Sequence, residues 1–522
     1  MPRSNLLVLF ILGLAVASGV AWLQNSPGYM DADYYMAGGL RLVQGHGFSE
    51  IILWNYLDDP AGLPHPSHSY WMPLASILAA LGMWMTGQHD FFSARIPFIL
   101  LAGFVPPLTA LLAYRLTARR DLALLSGLLA VFPAYNVSYL AAIDNFTIYR
   151  ILGAMFFLSL SKISYKTALG LGLVAGLMNL SRTDGLLWLA LAFLVVLLHL
   201  FSLHRFDWRS WVRPFLFSGL LIILGYFLVM APWFARNLSE LGAPMAPGGS
   251  RAMLLVKYED TYIYPASQLT FERWLASGWQ SIVSARLNAL WINLGTALFV
   301  FGGIFIGPFI LVACWKLRRD LRIQVGALGF AALFVVMTLL FPFAGPRGSF
   351  LHAGVAFMPL GWAIAPIGLE AAVAAARRRN WFTPQAQRIF RVILFAANLI
   401  LTLPLVHERV VSSEWDLPEQ TFRQVEAGLV QAGAGPGDVV MVTNPPGYYL
   451  ASGRAAVASP DAEIEQVFEA ARIYGVRYLI LERTSIPDRL VPFLELKVSS
   501  PNLRLVFTQE NGVVVYEFLP EE

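Results

Sequence analysis

Long apolar runs alternate with short polar connections along most of the chain, and this pattern predicts a bundle of membrane-crossing helices. A helix needs about 17–25 apolar residues to cross the hydrocarbon core. Runs of roughly that length occur at 5–23, 95–117, 121–138, 146–162, 166–181, 184–202, 214–234, 289–315, 323–342, 349–370 and 389–406, which makes about eleven spans. A further apolar stretch, 71–87, contains Pro73 and Trp84 and follows His65, Pro66 and His68. That make-up suits a segment lying in the interface rather than a lipid-exposed span.

The polar connections fix the orientation. If 71–87 does not cross, Arg115/Arg119/Arg120, Lys162/Lys166, Arg205/Arg209/Arg213, Lys316/Arg318/Arg319/Arg322 and Arg377/Arg378/Arg379/Arg388/Arg391 all fall on the inner side with the N-terminus. If it does cross, every later cluster faces outward, against the positive-inside rule. The first run is followed by Gln24-Asn25-Ser26-Pro27 and no small-x-small cleavage site, so it reads as an uncleaved span. Three large outward features result: 24–94, 235–288 and everything from about 407 onward. The tail changes character. Short β-rich runs at 438–443, 477–481, 503–508 and 513–518 alternate with helical stretches at 418–432 and 461–473. The expected architecture is an α-helical polytopic membrane domain over 1–406, with interfacial helices in its first outer loop, and a small extracytoplasmic α/β domain over 407–522.

Composition agrees. The chain is 57% hydrophobic and 13% charged, against about 25% charged in soluble domains. Its net charge of +4 does not mark a nucleic-acid binder, because the basic residues sit between apolar runs. The expected surrounding partner is membrane lipid, with no nucleic acid. Cys314 is the single cysteine, which excludes an intrachain disulfide or a multi-cysteine metal site.

Candidate chemistry gathers on the outward connections. Tyr29-Met30-Asp31-Ala32-Asp33-Tyr34-Tyr35 follows the first span directly. Carboxylates this close to lipid need a cation or proton donor, although capping of the 33–43 helix explains them equally simply. Asp144 lies in a second outward connection, either as an ordinary loop residue or as a third convergent carboxylate. Arg347, flanked by Gly345 and Gly348, offers a guanidinium fork suited to phosphate; a snorkelling arginine is the plainer alternative. Arg236 and Lys257 add outward positive charge. Arg182 and Asp184 are close enough to pair and read first as a structural turn. His65, His68 and His89 lack a ligand partner at zinc spacing.

The order of motifs resembles the GT-C-fold glycosyltransferases, in the branch containing protein O-mannosyltransferases and the aminoarabinose transferase of lipid A. The matching pieces are Asp31-x-x-x-Tyr35-x-Ala37 with Gly45-x-Gly47-Phe48, Pro66 through Tyr70-Trp71 and Pro73, and Ser93-Ala94-Arg95-Ile96-Pro97. Further on come Ser181-Arg182-Thr183-Asp184-Gly185, Pro232-Trp233 with Arg236-Asn237, and the late Arg347. The resemblance covers roughly 5–406. It implies inverting transfer of a hexosyl or pentosyl group from a polyprenyl-phosphate-linked donor, in the inner (plasma) membrane with the active site outside. Asp31 would be the catalytic carboxylate, with Asp144 as the acidic residue of the second loop. Asp33 departs from the family's adjacent acidic pair because Ala32 intervenes. Arg347, with Arg236 and Lys257, would face the donor phosphate, and Tyr35, His65 and Tyr70 would line the substrate pocket. Whether a metal is needed stays open; the one cofactor compatible with the resemblance is a divalent cation, magnesium or manganese, held by Asp31 and Asp144. The acceptor stays open between protein, lipid and glycan. Two other classes remain: a transporter or flippase of lipid-linked glycans, and a non-catalytic assembly subunit.

Overall fold

A computed structural model of the protein describes residues 1–204, 208–246, 248–412, 415–483 and 486–520. Arg205 of the third basic cluster lies outside the described residues. Among the described residues, eight helical stretches are long and apolar enough to cross a membrane: Arg3–Trp22, Phe91–Thr117, Thr183–Leu203, Arg209–Leu241, Gly278–Phe301, Leu321–Leu339, Gly345–Arg378 and Ala386–Val411. Shorter helices lie at the predicted runs 121–138, 146–162 and 166–181.

The first half runs as follows: α1 (Arg3–Trp22), α2 (Met30–Val43), α3 (Leu74–Thr86), α4 (Phe91–Thr117), α5 (Arg120–Val131), α6 (Asn145–Ser159), α7 (Tyr165–Ser181), α8 (Leu186–His204) and α9 (Trp208–Leu241). The run 71–87 becomes α3, whose 13 residues rise only about 20 Å against a hydrocarbon core of about 30 Å. It packs on α2 and on the start of α4. A Cβ on Gly39 would lie 2.8 Å from that of Ala79, and one on Gly82 would lie 2.2 Å from the Ser93 carbonyl oxygen. These glycines let the backbones approach closely and hold α3 at the level of α2.

Two expected spans differ in detail. The 121–138 run is helical only to Val131, because Pro133 cannot continue the ladder, and a 3₁₀ turn, Ala134–Tyr139, follows. The 289–315 run is not one helix but Gly278–Phe301 and Gly307–Lys316, separated where Gly303 and Ile304 take φ of 50° and 58°. It still threads the bundle. Asn293 Nδ2 donates to the Met337 carbonyl oxygen at 3.2 Å, the Phe301 ring meets Phe330, and Gly368 abuts the backbone of Phe309.

The end of the bundle remote from α2 carries an ionic network. Arg119 pairs with Asp121 and Glu370, and Arg391 bridges the same two carboxylates at 2.6 and 3.1 Å.

The first loop contributes β1 (Ser49–Glu50), β2 (Ile52–Leu53) and β3 (His65–Pro66); the C-terminal part adds β4 (Val439–Val442), β5 (Ala456–Ala458), β6 (Val476–Leu481), β7 (Leu503–Thr508) and β8 (Val514–Phe518). The main sheet has the order β2-β5-β4-β6-β8-β7, parallel from β2 to β6 and antiparallel beyond. The helix Leu417–Gln431 covers one face through Phe422, Val425 and Leu429, and Ile464–Tyr474 covers the other through Val467, Ala470 and Ala471. Four of these strands and both covering helices match the α/β reading of the tail. β5 has three residues and β2 two, too short to show a period. β2 comes from the first loop, pairing Ile52 with Ala456 and Leu53 with Val457, so one sheet ties the first loop to the C-terminal part.

Candidate active site

The site begins with two caps. Asp144 is the N-cap of α6: its backbone is extended, and one carboxylate oxygen accepts from the Asn145 N–H at 2.5 Å. The other accepts from the Tyr29 hydroxyl at 2.7 Å. Tyr29 precedes α2, and Asp31 lies in the first turn of that helix. The third member is His352, on the short helix Phe350–Gly354, with its ring 4.1 Å from that of Phe146. Its Nε2 is 3.8 Å from Asp31 Oδ2 and its Nδ1 is 3.5 Å from Asp144 Oδ1. Three segments far apart in the chain therefore meet at one imidazole.

The two carboxyls are set differently. Burial raises Asp31 to about 6, with Asp144 adding to the rise and His352 and Arg182 opposing it. Burial acts on Asp144 as well, but the His352 imidazole and the Tyr29 hydroxyl hold it below the ordinary carboxylate value.

The trio also fits a metal ion. One ligand atom from each of Asp31, Asp144 and His352 lies within 4.8 Å of the other two, and the buried His352 Nδ1 has no hydrogen-bond partner. An imidazole between two carboxylates is a donor set for a divalent cation.

Arg182 stands beside this cluster. Asp184 grips it through Nε and Nη2 at 2.9 and 2.7 Å, and Asp184 is held in turn by the Tyr149 hydroxyl at 2.8 Å. The guanidinium is thus oriented before any ligand arrives. Two cavities meet here. A polar one of about 270 Å³ is lined by Asp31, His352, Tyr258, Glu259 and Arg347. An apolar one of about 790 Å³ runs between Leu186, Leu187, Leu333, Val336, Met337 and Phe341. Tyr70, Trp71, Arg182, Ala344 and Ser349 line both.

The residues singled out by sequence divide accordingly. Asp31 and Asp144 converge, and Arg347 lines the polar cavity, lying over the Tyr258 ring at 4.2 Å and 3.9 Å from Glu259. Tyr70 lines both cavities; Tyr35 lines the apolar one and accepts from Asn145 Nδ2 at 2.7 Å. Asp33 is not with Asp31. It accepts from Asn444 Nδ2 at 2.9 Å, and burial pushes its carboxyl up to about 7. Arg236 is outside both cavities, donating to the Phe48 carbonyl oxygen at 2.8 Å and lying over Trp233. Lys257 pairs with Asp461 at 2.5 Å at the edge of the polar cavity. His65 is buried against the loop backbone, with Nε2 2.9 Å from the Ile52 carbonyl oxygen and 3.5 Å from Glu50. The geometry adds His352 and Arg182, neither of which the sequence reading had placed in the site.

A helical bundle with its acidic cluster on the first two connections of one face, and an α/β unit above them, has the GT-C glycosyltransferase fold. Solved structures show the same fold. ArnT from Cupriavidus metallidurans bound to undecaprenyl phosphate matches with a TM-score of 0.56 at 14% identity, covering 99% of this chain and 98% of that one. The archaeal oligosaccharyltransferase AglB from Archaeoglobus fulgidus, in complex with an inhibitory peptide and a dolichol-phosphate, matches at 0.54 and 11% identity, covering 91% of this chain and 69% of that one. An Archaeoglobus fulgidus oligosaccharyltransferase in complex with Zn and sulfate gives 0.55 at 12% identity, covering 90% and 67%. No family model and no curated protein matches the sequence.

Proposed function

We propose that the protein is a membrane glycosyltransferase moving a sugar from a polyprenyl-phosphate-linked donor to an acceptor hydroxyl at the outer face of the inner membrane, with inversion. One observation carries this reading: an apolar cavity and a polar cavity meet at a preorganised arginine, one step from a carboxylate–imidazole–carboxylate cluster. The donor has the same sequence of parts: an apolar chain, a phosphate, a sugar. The lipid phosphates bound to the two structural neighbours support that class of donor. The basic clusters at the far end of the bundle support the orientation.

In this reading the lipid tail lies in the apolar cavity, and Arg182, with Arg347 at the rim, meets the phosphate. Asp31 accepts the proton of the acceptor hydroxyl as its oxygen bonds to the anomeric carbon. The bond from that carbon to the phosphate oxygen breaks, and polyprenyl phosphate leaves with one more negative charge, matched by the guanidinium. Asp144 and His352 hold Asp31 in place. A divalent cation held by Asp31, Asp144 and His352 would supply further positive charge at the leaving phosphate.

The test is direct. The purified protein is given a panel of polyprenyl-phosphate sugars with extracted envelope acceptors, and the anomeric configuration of the product is read by NMR. Transfer with inversion from at least one donor supports the proposal. Movement of intact lipid-linked sugar across reconstituted vesicles, without cleavage, would replace it with the transport reading.

A further inference from the structure

A third cavity lies across α2 from the catalytic cluster and shares no lining residue with the two cavities there. Five segments build it: the link between α1 and α2, the face of α2 bearing Asp33, the first turn of α4, and the two C-terminal helices Leu417–Gln431 and Pro445–Ser452. Its volume, about 270 Å³, falls just under the ~300–1,000 Å³ of small-molecule sites. That is room for a headgroup and not for a long chain.

Three carboxylates, Asp33, Asp90 and Glu419, and one guanidinium, Arg423, line this cavity, with Asp90 engaged as the cap of α4 through the Ser93 N–H. Asp33, only 6% exposed, lies deepest. Its Oδ2 takes the Asn444 amide, while among the described residues its Oδ1 has no hydrogen-bond partner and no Lys, Arg or His nitrogen within 4.0 Å. Glu419 is nearer the surface, and Arg423 is outermost, its side chain 62% exposed. A buried carboxylate without a counter-charge is costly, and an ammonium group on Oδ1 would remove that cost. Among the described residues Arg423 is tied only to Glu419, one helical turn away. Such an exposed pair is weak, so the guanidinium is free to turn onto a phosphate. Exposed aromatic side chains flank the cavity. Phe92 lines it at 52% exposure, and Trp22, 81% exposed, ends α1 just before the link. Exposed aromatics at helix ends mark the membrane–water interface. A metal ion is a poor match, because the described residues offer a metal-ligand trio only at Asp31, Asp144 and His352.

We propose that this cavity binds the headgroup of an ethanolamine phospholipid, with its ammonium on Asp33 and its phosphate on Arg423. A choline headgroup carries no N–H to donate to Oδ1, so the site should separate the two lipids.

The experiment uses the full chain in detergent and measures Kd for short-chain phosphatidylethanolamine and phosphatidylcholine by native mass spectrometry. Phosphatidylethanolamine should bind at least about tenfold more tightly. Asp33→Asn should erase that preference. Arg423→Gln should weaken both lipids about equally and leave the preference intact. This exposed variant also keeps the test informative if Asp33→Asn fails to fold. Free O-phosphoethanolamine should displace the lipid at millimolar concentration, which separates headgroup recognition from acyl-chain binding. Equal affinity for the two lipids, a preference that survives Asp33→Asn, or no displacement by O-phosphoethanolamine would each overturn the proposal.

Discussion

At the scale of single residues, the site depends on how unlike groups hold one another. His352 touches both carboxylates, so His352→Ala should leave Asp31 and Asp144 facing each other with nothing between them. Transfer activity should fall about 10²-fold or more while the melting temperature moves little, as donor-turnover assays and thermal unfolding would show. Arg182→Lys should also fail. Lysine keeps the charge but loses the two-pronged grip of Asp184, and a rise in KM for the lipid donor larger than the fall in kcat is the expected signature. These two residues show what sequence alone conveys. Asp31 and Asp144 were legible because carboxylates beside apolar runs are expensive there and need an explanation. His352 was not, because a single histidine at the start of an apolar run has no spacing signal. Arg182 was read as a turn residue through its pairing with Asp184. The pairing exists, and it is what aims the guanidinium at the cavities.

At the scale of elements, helix geometry separates residues that sequence places together. Asp31 and Asp33 are two positions apart on α2, and i,i+2 neighbours do not share a helix face. One therefore joins the catalytic cluster and the other turns toward Asn444 of the C-terminal part. Close backbone packing sets the height of this helix. A Cβ on Gly39 would lie 3.1 Å from the Ser76 carbonyl oxygen as well as against Ala79. Gly39→Val should cost about 1–3 kcal/mol through overpacking and lower the thermal unfolding temperature, with loss of activity following the displacement of Asp31. The long apolar runs were easy to find because their length alone identifies them. The break at Gly303–Ile304 was not, because two left-handed residues inside an apolar run leave its hydropathy unchanged.

At the scale of the whole molecule, the first loop and the C-terminal part form one roof. β2 adds to the C-terminal sheet, while Asp461, Ile486 and Pro487 line the polar cavity. A period of two residues cannot appear in a two-residue strand, so this joint was invisible in the sequence, whereas the longer strands β4, β6, β7 and β8 were readable. The proposed orientation has a simple check in a Cys314→Ala background. A membrane-impermeant maleimide applied to intact cells should label Ser499→Cys, an exposed position of the C-terminal part, and leave Thr383→Cys, exposed at the opposite end of the bundle, unlabelled. The reverse pattern would place the catalytic face in the cytoplasm.

The central claim is that carboxylates from two separate connections act as one unit. Double-mutant analysis of donor turnover with Asp31→Asn, Asp144→Asn and the combined variant measures this directly. Groups that serve one step are non-additive, so each single change should cost about 10²-fold or more and the double should be little worse than the weaker single. Losses that multiply, or full activity in either single variant, would contradict the account.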